Sequence, residues 1–273
     1  MERYGEKEPG KRLKKLIGPF LLRRTKSQVL EELPPRTEIV LHVEMSPEES
    51  AFYEVLRQQA VQQIEQTDGP IEQKNFRILA ELMRLRRACC NSRLVMPESL
   101  IPSTKLALFH KVSEELLENR HKVLVFSQFV DHLTILRQSL DQRGVAYQYL
   151  DGSTPPKERK RRVDAFQAGE GDIFLISLKA GGLGINLTAA DYVIHMDPWW
   201  NPAVEDQASD RAHRIGQMRP VTIYRLVTKG TIEEKIVDLH RHKRDLADGL
   251  LEGGEMSARM SAEDLLRLIR EEG

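Results

Sequence analysis

The chain has 273 residues, 40% hydrophobic and 30% charged, with 41 basic and 41 acidic side chains. That is the length of one large domain or two small ones, and a formal charge of zero argues neither for nor against a nucleic-acid partner. No apolar run approaches the ~20 residues of a membrane span, and residues 1–15 are too charged for a secretory signal.

Residues 5–11 spell G-x-x-x-x-G-K, the opening of a phosphate-binding P-loop. Arg12 stands where Ser or Thr binds magnesium, Pro9 removes a cradle amide, and no apolar strand precedes the stretch, so it is read as a decoy. Pro34-Pro35 stops a helix and favours extended chain. The alternation of Ile39, Leu41 and Val43 predicts a strand over 37–45. Ser46-Pro47-Glu48-Glu49 is a helix start, with Ser46 as N-cap, Pro47 at the first position and Glu49 completing a capping box.

Two helices are expected, at 47–66 and 72–91, broken at Asp68-Gly69-Pro70. The second ends in Cys89 and Cys90, the two cysteines of the chain. Adjacent cysteines fit neither a structural disulfide nor a metal site, and core packing of at least one of them, in a reducing intracellular compartment, is the reading taken. Basic clusters lie at 11–15, 23–26, 84–87 and 157–162. For each alone a solvated helical face is as good a reading as a ligand site. Pro102-Ser103-Thr104-Lys105 begins another capped helix.

From Lys122 onward strands and helices alternate. Strands are predicted at 123–126, 147–150, 173–176, 192–196 and 221–227. Helices are predicted from Phe129 to Arg143, closed by Gly144, and from Pro155 to Ala168. A long helix opens at Thr231-Ile232-Glu233-Glu234 and runs to about Leu251, and Ser261 caps a short last one. This order predicts an α/β fold with a largely parallel sheet. Ligands of such sheets gather at the carboxyl ends of strands, where Ser127-Gln128-Phe129, Asp151 to Thr154 and Ser177 to Gly184 fall.

The richest stretch is 177–217. Gly181, Gly182 and Gly184 follow an apolar strand and let backbone amides approach an anion closely. A helix after Pro202 is expected to carry Gln207, Arg211 and Arg214 on one face, at i, i+4 and i+7. Beside them Val204, Ala208, Ala212 and Ile215 form an apolar stripe that seats the helix on a core. Two guanidiniums held together suit phosphate charge. Taken singly, a glycine-rich bend is more often only a turn, and such arginines are usually solvated or paired to carboxylates such as Asp206 and Asp210. The functional reading rests on the combination, with both tryptophans between the two parts in Asp197-Pro198-Trp199-Trp200-Asn201-Pro202.

In this form the stretch resembles motifs V and VI of Swi/Snf-type ATP-dependent DNA translocases, of the superfamily-two helicases. The match is nearly letter for letter over 179–184 and 210–217. Ser127-Gln128-Phe129 is similar to motif IV, and Asp151 to Thr154 with Arg159 to the element after it. Residues 19–35 resemble the segment joining the family's two motor lobes. Leu79, Leu82, Met83, Leu85 and Arg86 resemble its helix before a Cys-Asn turn, and 231–235 its bracing element.

The resemblance implies a RecA-like parallel sheet flanked by helices, with a helical insertion near the N-terminus. Its divisions would be 1–36 (tail of the first lobe and connector), 37–102 (strand and helical protrusion), 103–230 (C-terminal helicase lobe) and 231–273 (bracing helices). It implies that Ser127, Gln128, Thr154, Arg159, Ser177 and Lys179 meet DNA phosphates, that Gly182, Gly184 and Gln207 lie near the nucleotide, and that Arg211 and Arg214 are arginine fingers. The implied cofactors are ATP and Mg2+, bound mainly by a first lobe in cis or in trans. The implied partner is double-stranded DNA, in a cytoplasmic (nucleoid-associated) or nuclear setting, with no membrane.

No complete P-loop and no Asp-Glu-x-His motif occurs in these residues. The chain is therefore expected to be half of a DNA-dependent ATPase, inactive alone. Arginine fingers contribute roughly 10³–10⁵ in rate only where another surface presents the nucleotide. The alternative is a stand-alone, non-catalytic DNA- or protein-binding module derived from such a motor. A strand-separating helicase or an RNA enzyme fits the motif details less well.

Overall fold

Six strands hydrogen-bond into one parallel sheet: β1 (Arg36–Val43), β2 (Val123–Ser127), β3 (Tyr147–Leu150), β4 (Ile173–Ser177), β5 (Tyr192–His195) and β6 (Val221–Thr228). They are seen in a computed structural model that describes residues 33–67, 70–180, 184–240 and 262–270. The G-x-x-x-x-G-K stretch, most of the lobe-joining segment, the basic clusters at 11–15 and 23–26, Gly182, and residues 241–261 lie outside the described residues.

The spatial order is β1-β6-β5-β2-β4-β3. From β2 the chain builds outward to one side with β4 and β3, then returns to the other side for β5 and β6. The reversal at β2 opens a crevice at the carboxyl ends of its neighbours, the usual ligand position of such a sheet. β2 and β4 are buried along their whole length and read as continuous apolar runs, as strands covered on both faces must.

Helix α1 is Pro47–Glu65, with the expected Ser46–Glu49 capping box intact. Helix α2 is Ile71–Cys90, and α3 (Thr104–Glu118) starts at a Ser103 cap. Helices α4 (Val130–Gln142), α5 (Pro156–Gln167) and α6 (Pro202–Ser209) follow, then α7 over 232–240 and α8 (Ala262–Arg270). Gly144 closes the turn after α4 at φ 66, a left-handed conformation that costs glycine nothing.

Period-two alternation divides the core. Leu124, Phe126, Phe174 and Ile176 face one side of the sheet, with Phe166 of α5 and Ala208 of α6. Val123, Val125, Ile173 and Leu175 face the other, with Phe109 of α3 and Leu133 and Leu136 of α4. A third cluster joins α1 and α2 to α7 and α8 through Leu56, Ile64, Leu82, Cys89, Ile236 and Ile269. Both cysteines are buried and free, and burial pushes their thiols well above the usual range.

One expectation is corrected. The helix after Pro202 ends at Ser209, so Gln207, Arg211 and Arg214 do not share a helical face. The Arg211 carbonyl accepts from Leu187 N at 3.0 Å, and the Gln217 side chain donates to Ala212 O at 3.0 Å. These long-range and turn bonds replace the intrahelical ones, and Ile215, assigned to the apolar stripe, is 70% exposed.

Candidate nucleotide and DNA interface

Ser127 and Ser177 are register partners at the last positions of β2 and β4. The Ser127 hydroxyl donates to Asp197 Oδ1 at 2.5 Å and accepts from Phe129 N at 3.1 Å, while Asp197 Oδ2 accepts from Gln128 N at 3.2 Å. The ends of β2 and β5 are thereby tied together around one buried carboxylate. Burial raises the Asp197 pKa, although Arg86 and the Ser127 bond work against the shift.

The Ser177 hydroxyl accepts from Ala180 N at 3.3 Å and starts the glycine-rich bend. Lys179 is exposed on that bend, and Gly184 leaves it at φ 64. A side chain at Gly184 would be strained by its backbone, although the space around it is open.

Thr154 lies inside a turn organised by Asp151, whose carboxylate accepts from Tyr149 OH at 2.7 Å, Ser153 N at 2.9 Å and the Thr154 hydroxyl at 3.1 Å. Burial opposes ionisation of Asp151, but these donors outweigh it and hold its pKa at about 2. Arg159, on α5, donates from Nη1 to Ala180 O at 3.2 Å and joins this turn to the glycine-rich bend. The hydroxyls of Ser127, Thr154 and Ser177 thus shape their loops, while Lys179 presents an exposed charge and Gln128 is half-buried.

Arg211 is 5% exposed, its guanidinium 5.9 Å from the Phe126 ring centroid. Its Nε and Nη1 are buried and have no hydrogen-bond partner among the described residues. Burial lowers its pKa to about 10, with Asp210 acting against that shift. Arg214 and Gln207 are exposed. Arg36 of β1 meets Asp206 at 2.6 Å and Asp210 at 3.5 Å, so a strand at the far edge of the sheet supplies a cation to both carboxylates. His213, between the two arginines, bonds Pro34 O at 2.8 Å through Nε2. The connector residues 34–36 are therefore pinned against the arginine turn.

The chain is similar to known proteins over most of its length. The helicase conserved C-terminal domain family matches residues 107–216, and the SNF2-related domain family matches 3–94. A protein of Mycoplasma pneumoniae named "Uncharacterized ATP-dependent helicase" is 39% identical over 92% of this chain and 24% of its own length. The mouse SWI/SNF-related matrix-associated actin-dependent regulator of chromatin subfamily A member 1 is 36% identical over 97% of this chain and 27% of its own. The Sulfolobus solfataricus SWI2/SNF2 ATPase core in complex with dsDNA superposes with a TM-score of 0.71 at 33% identity, covering 95% of this chain and 56% of that one. The separate C-terminal domain of a Sulfolobus solfataricus SWI2/SNF2 ATPase gives 0.68 at 29% identity, covering 86% of this chain and 98% of that one.

The chain is a Snf2-type, helicase-like C-terminal lobe. It is similar over most of its length to proteins named as an ATP-dependent helicase and a regulator of chromatin, and it spans about a quarter of the length of these two curated relatives. No described helix of the lobe is long and apolar enough to cross a membrane.

The charge run at 84–87 does not behave as a solvated face. Arg86 of the lobe is fully buried, and its guanidinium lies 4.0 Å from Asp197. Lys105 is equally buried and meets Glu233 at 2.5 Å. Burial opposes the lysine's charge, Glu233 leads the groups that favour it, and the Lys105 pKa is raised.

Cys90, His132 and Asp197 bring three potential metal ligands within 4.8 Å of one another. Burial and the nearby Lys105 hold His132 neutral, with a pKa of about 3. With Arg86 balancing Asp197 and Lys105 balancing Glu233, this interior is already charge-compensated, and a divalent cation there would face two buried cations. The donor set alone is suited to a metal; its electrostatic setting is not.

Proposed function

We propose that this lobe works as the second half of a DNA-dependent ATPase that translocates on double-stranded DNA. A first motor lobe, in cis or in trans, binds ATP and Mg2+. Arg211 and Arg214 meet the phosphates across the interface, and Gly182, Gly184 and Gln207 lie beside the nucleotide. The strand-end loops grip the DNA backbone through Ser127, Gln128, Thr154, Arg159, Ser177 and Lys179. Residues 37–102 supply a strand and the helical protrusion, and 231–273 the brace.

The observation that carries this reading is Arg211. A guanidinium held almost out of water with two nitrogens unpartnered is costly, because a buried donor left unsatisfied loses about 1–3 kcal/mol. An anion arriving from outside the chain would supply the missing acceptors. Exposed Arg214, three residues on, offers a second fork to the same anion, and guanidinium forks match phosphate oxygens in pairs. The SWI2/SNF2 core solved with dsDNA supports duplex DNA as the polymer that is gripped.

Backbone contacts carry no base information, and the chain is only 6% aromatic, which gives few stacking platforms for single strands. A salt titration of the lobe with two duplexes of unrelated sequence and one single strand tests the reading. Both duplexes are expected to bind alike, with log affinity falling against log salt at a slope of about −2 to −4, or −0.9 for each phosphate neutralised. Tighter binding to the single strand, or a clear preference for one duplex, contradicts it.

A further inference from the structure

Arg86 has no role in the function just proposed, yet few side chains of the lobe are held by so many others. It is fully buried on α2. Its Nη1 donates to Gln128 Oε1 at 3.1 Å, and its Nη2 to Pro198 O at 2.5 Å. Its guanidinium carbon lies 5.7 Å from the Phe129 ring centroid, 5.5 Å from that of Trp199 and 5.4 Å from that of Trp200.

These partners belong to two separate loops. Gln128 and Phe129 follow β2. Pro198, Trp199 and Trp200 follow β5 and lead into α6, where Trp199 N donates to Glu205 Oε1 at 2.6 Å. Glu205 is fixed in turn by Arg225 of β6 at 2.7 Å. Arg211 comes directly after this helix.

Filling this space with an apolar side chain would avoid the desolvation of a cation. A guanidinium does what no apolar residue can: its planar fork meets two acceptors in fixed directions while its faces pack on aromatic rings. We propose that Arg86 is a positioning residue that couples the DNA-gripping loop after β2 to the tryptophan loop that sets the arginine turn, so that a displacement of Gln128 by DNA is passed to Trp199 and α6. This rests on the function proposed above. In that motor Arg86 touches neither DNA nor ATP.

The test compares wild type with Arg86→Lys and Arg86→Gln in the two-lobed motor containing this chain. ATP turnover is measured with and without duplex DNA, together with DNA affinity and the unfolding midpoint. Both variants are expected to keep basal turnover and DNA affinity while losing about 10-fold or more of the DNA stimulation, a coupling of ordinary allosteric size. Retained stimulation, or basal and stimulated turnover falling in proportion with the unfolding midpoint, overturns the proposal. A wild-type motor without DNA stimulation would overturn the proposed function itself, and the coupling with it.

A second readout uses the chain alone. Trp199 and Trp200 are its two tryptophans, so its indole emission reports on this site. Duplex DNA is expected to shift that emission in wild type and not in Arg86→Lys. An equal shift in both, or none in wild type, counts against the coupling.

Discussion

The Ser127 hydroxyl donates to Asp197 at 2.5 Å and joins the ends of the neighbouring strands β2 and β5 by a buried bond. The same carboxylate faces Arg86. Removing each partner therefore has a different cost. Ser127→Ala is expected to lower stability by about 1–3 kcal/mol, the range for a buried acceptor losing its donor. Asp197→Ala is expected to cost about 3–5 kcal/mol, because it strands the Arg86 charge in the interior. Urea unfolding at unchanged m-value checks both, and equal costs would mean that Arg86 does not depend on Asp197.

The Lys105–Glu233 pair ties α3 to α7, with Lys105 also donating to Met196 O at 3.1 Å and Glu233 accepting from Thr228 N at 3.0 Å. Either single replacement, Lys105→Met or Glu233→Leu, leaves one charge buried alone and is expected to cost about 3–5 kcal/mol. The double variant is expected to be less destabilised than the sum by about 1–3 kcal/mol. Additive losses in a thermal or urea double-mutant cycle would show that the two charges act independently.

Arg211 offers a prediction of opposite sign. Its folded pKa of about 10 lies below the ordinary arginine value, so folding disfavours its charged form. A base depressed in this way carries its full penalty at every pH below about 10, and the penalty fades only as pH rises through that value. The shift corresponds to a penalty of up to about 3 kcal/mol. Arg211→Met is therefore expected to raise the thermal midpoint of the lobe, by about 2–4 °C for each kcal/mol of penalty relieved, with a constant gain between pH 6 and 9. In the proposed motor the same variant is expected to lose turnover. A lowered midpoint would mean that the guanidinium already stabilises the lobe without a ligand.

How far the sequence led can be followed at single residues. Ser46 and Glu49 announced a helix start that the structure contains bond for bond, because a capping box is local chemistry. The apolar runs at 123–126 and 173–176 became the central strands because only burial on both faces suits such runs. The helix through Arg211 and Arg214 failed because its rival was not local. Leu187, 24 residues upstream of Arg211 by number, supplies the amide that takes the Arg211 carbonyl. The burial of Arg86 was hidden for the same reason: within an Arg-rich run it looks like its neighbours, and only Asp197 and the tryptophan loop, far along the chain, single it out.

The central claim is that this lobe lends arginines to ATP held by another surface. It is tested most directly by ATP turnover in a motor rebuilt from a first lobe and this chain, comparing wild type with Arg214→Lys and measuring duplex affinity in parallel. The chain alone is expected to show no turnover above background. The rebuilt motor is expected to turn over, and Arg214→Lys to lower that rate strongly, by an amount approaching the roughly 10³-fold or more assigned to such fingers. DNA affinity should stay nearly unchanged, because lysine keeps the charge and loses only the two-pronged contact. A parallel fall in DNA affinity and turnover, or DNA-stimulated turnover by the isolated chain, would contradict the account.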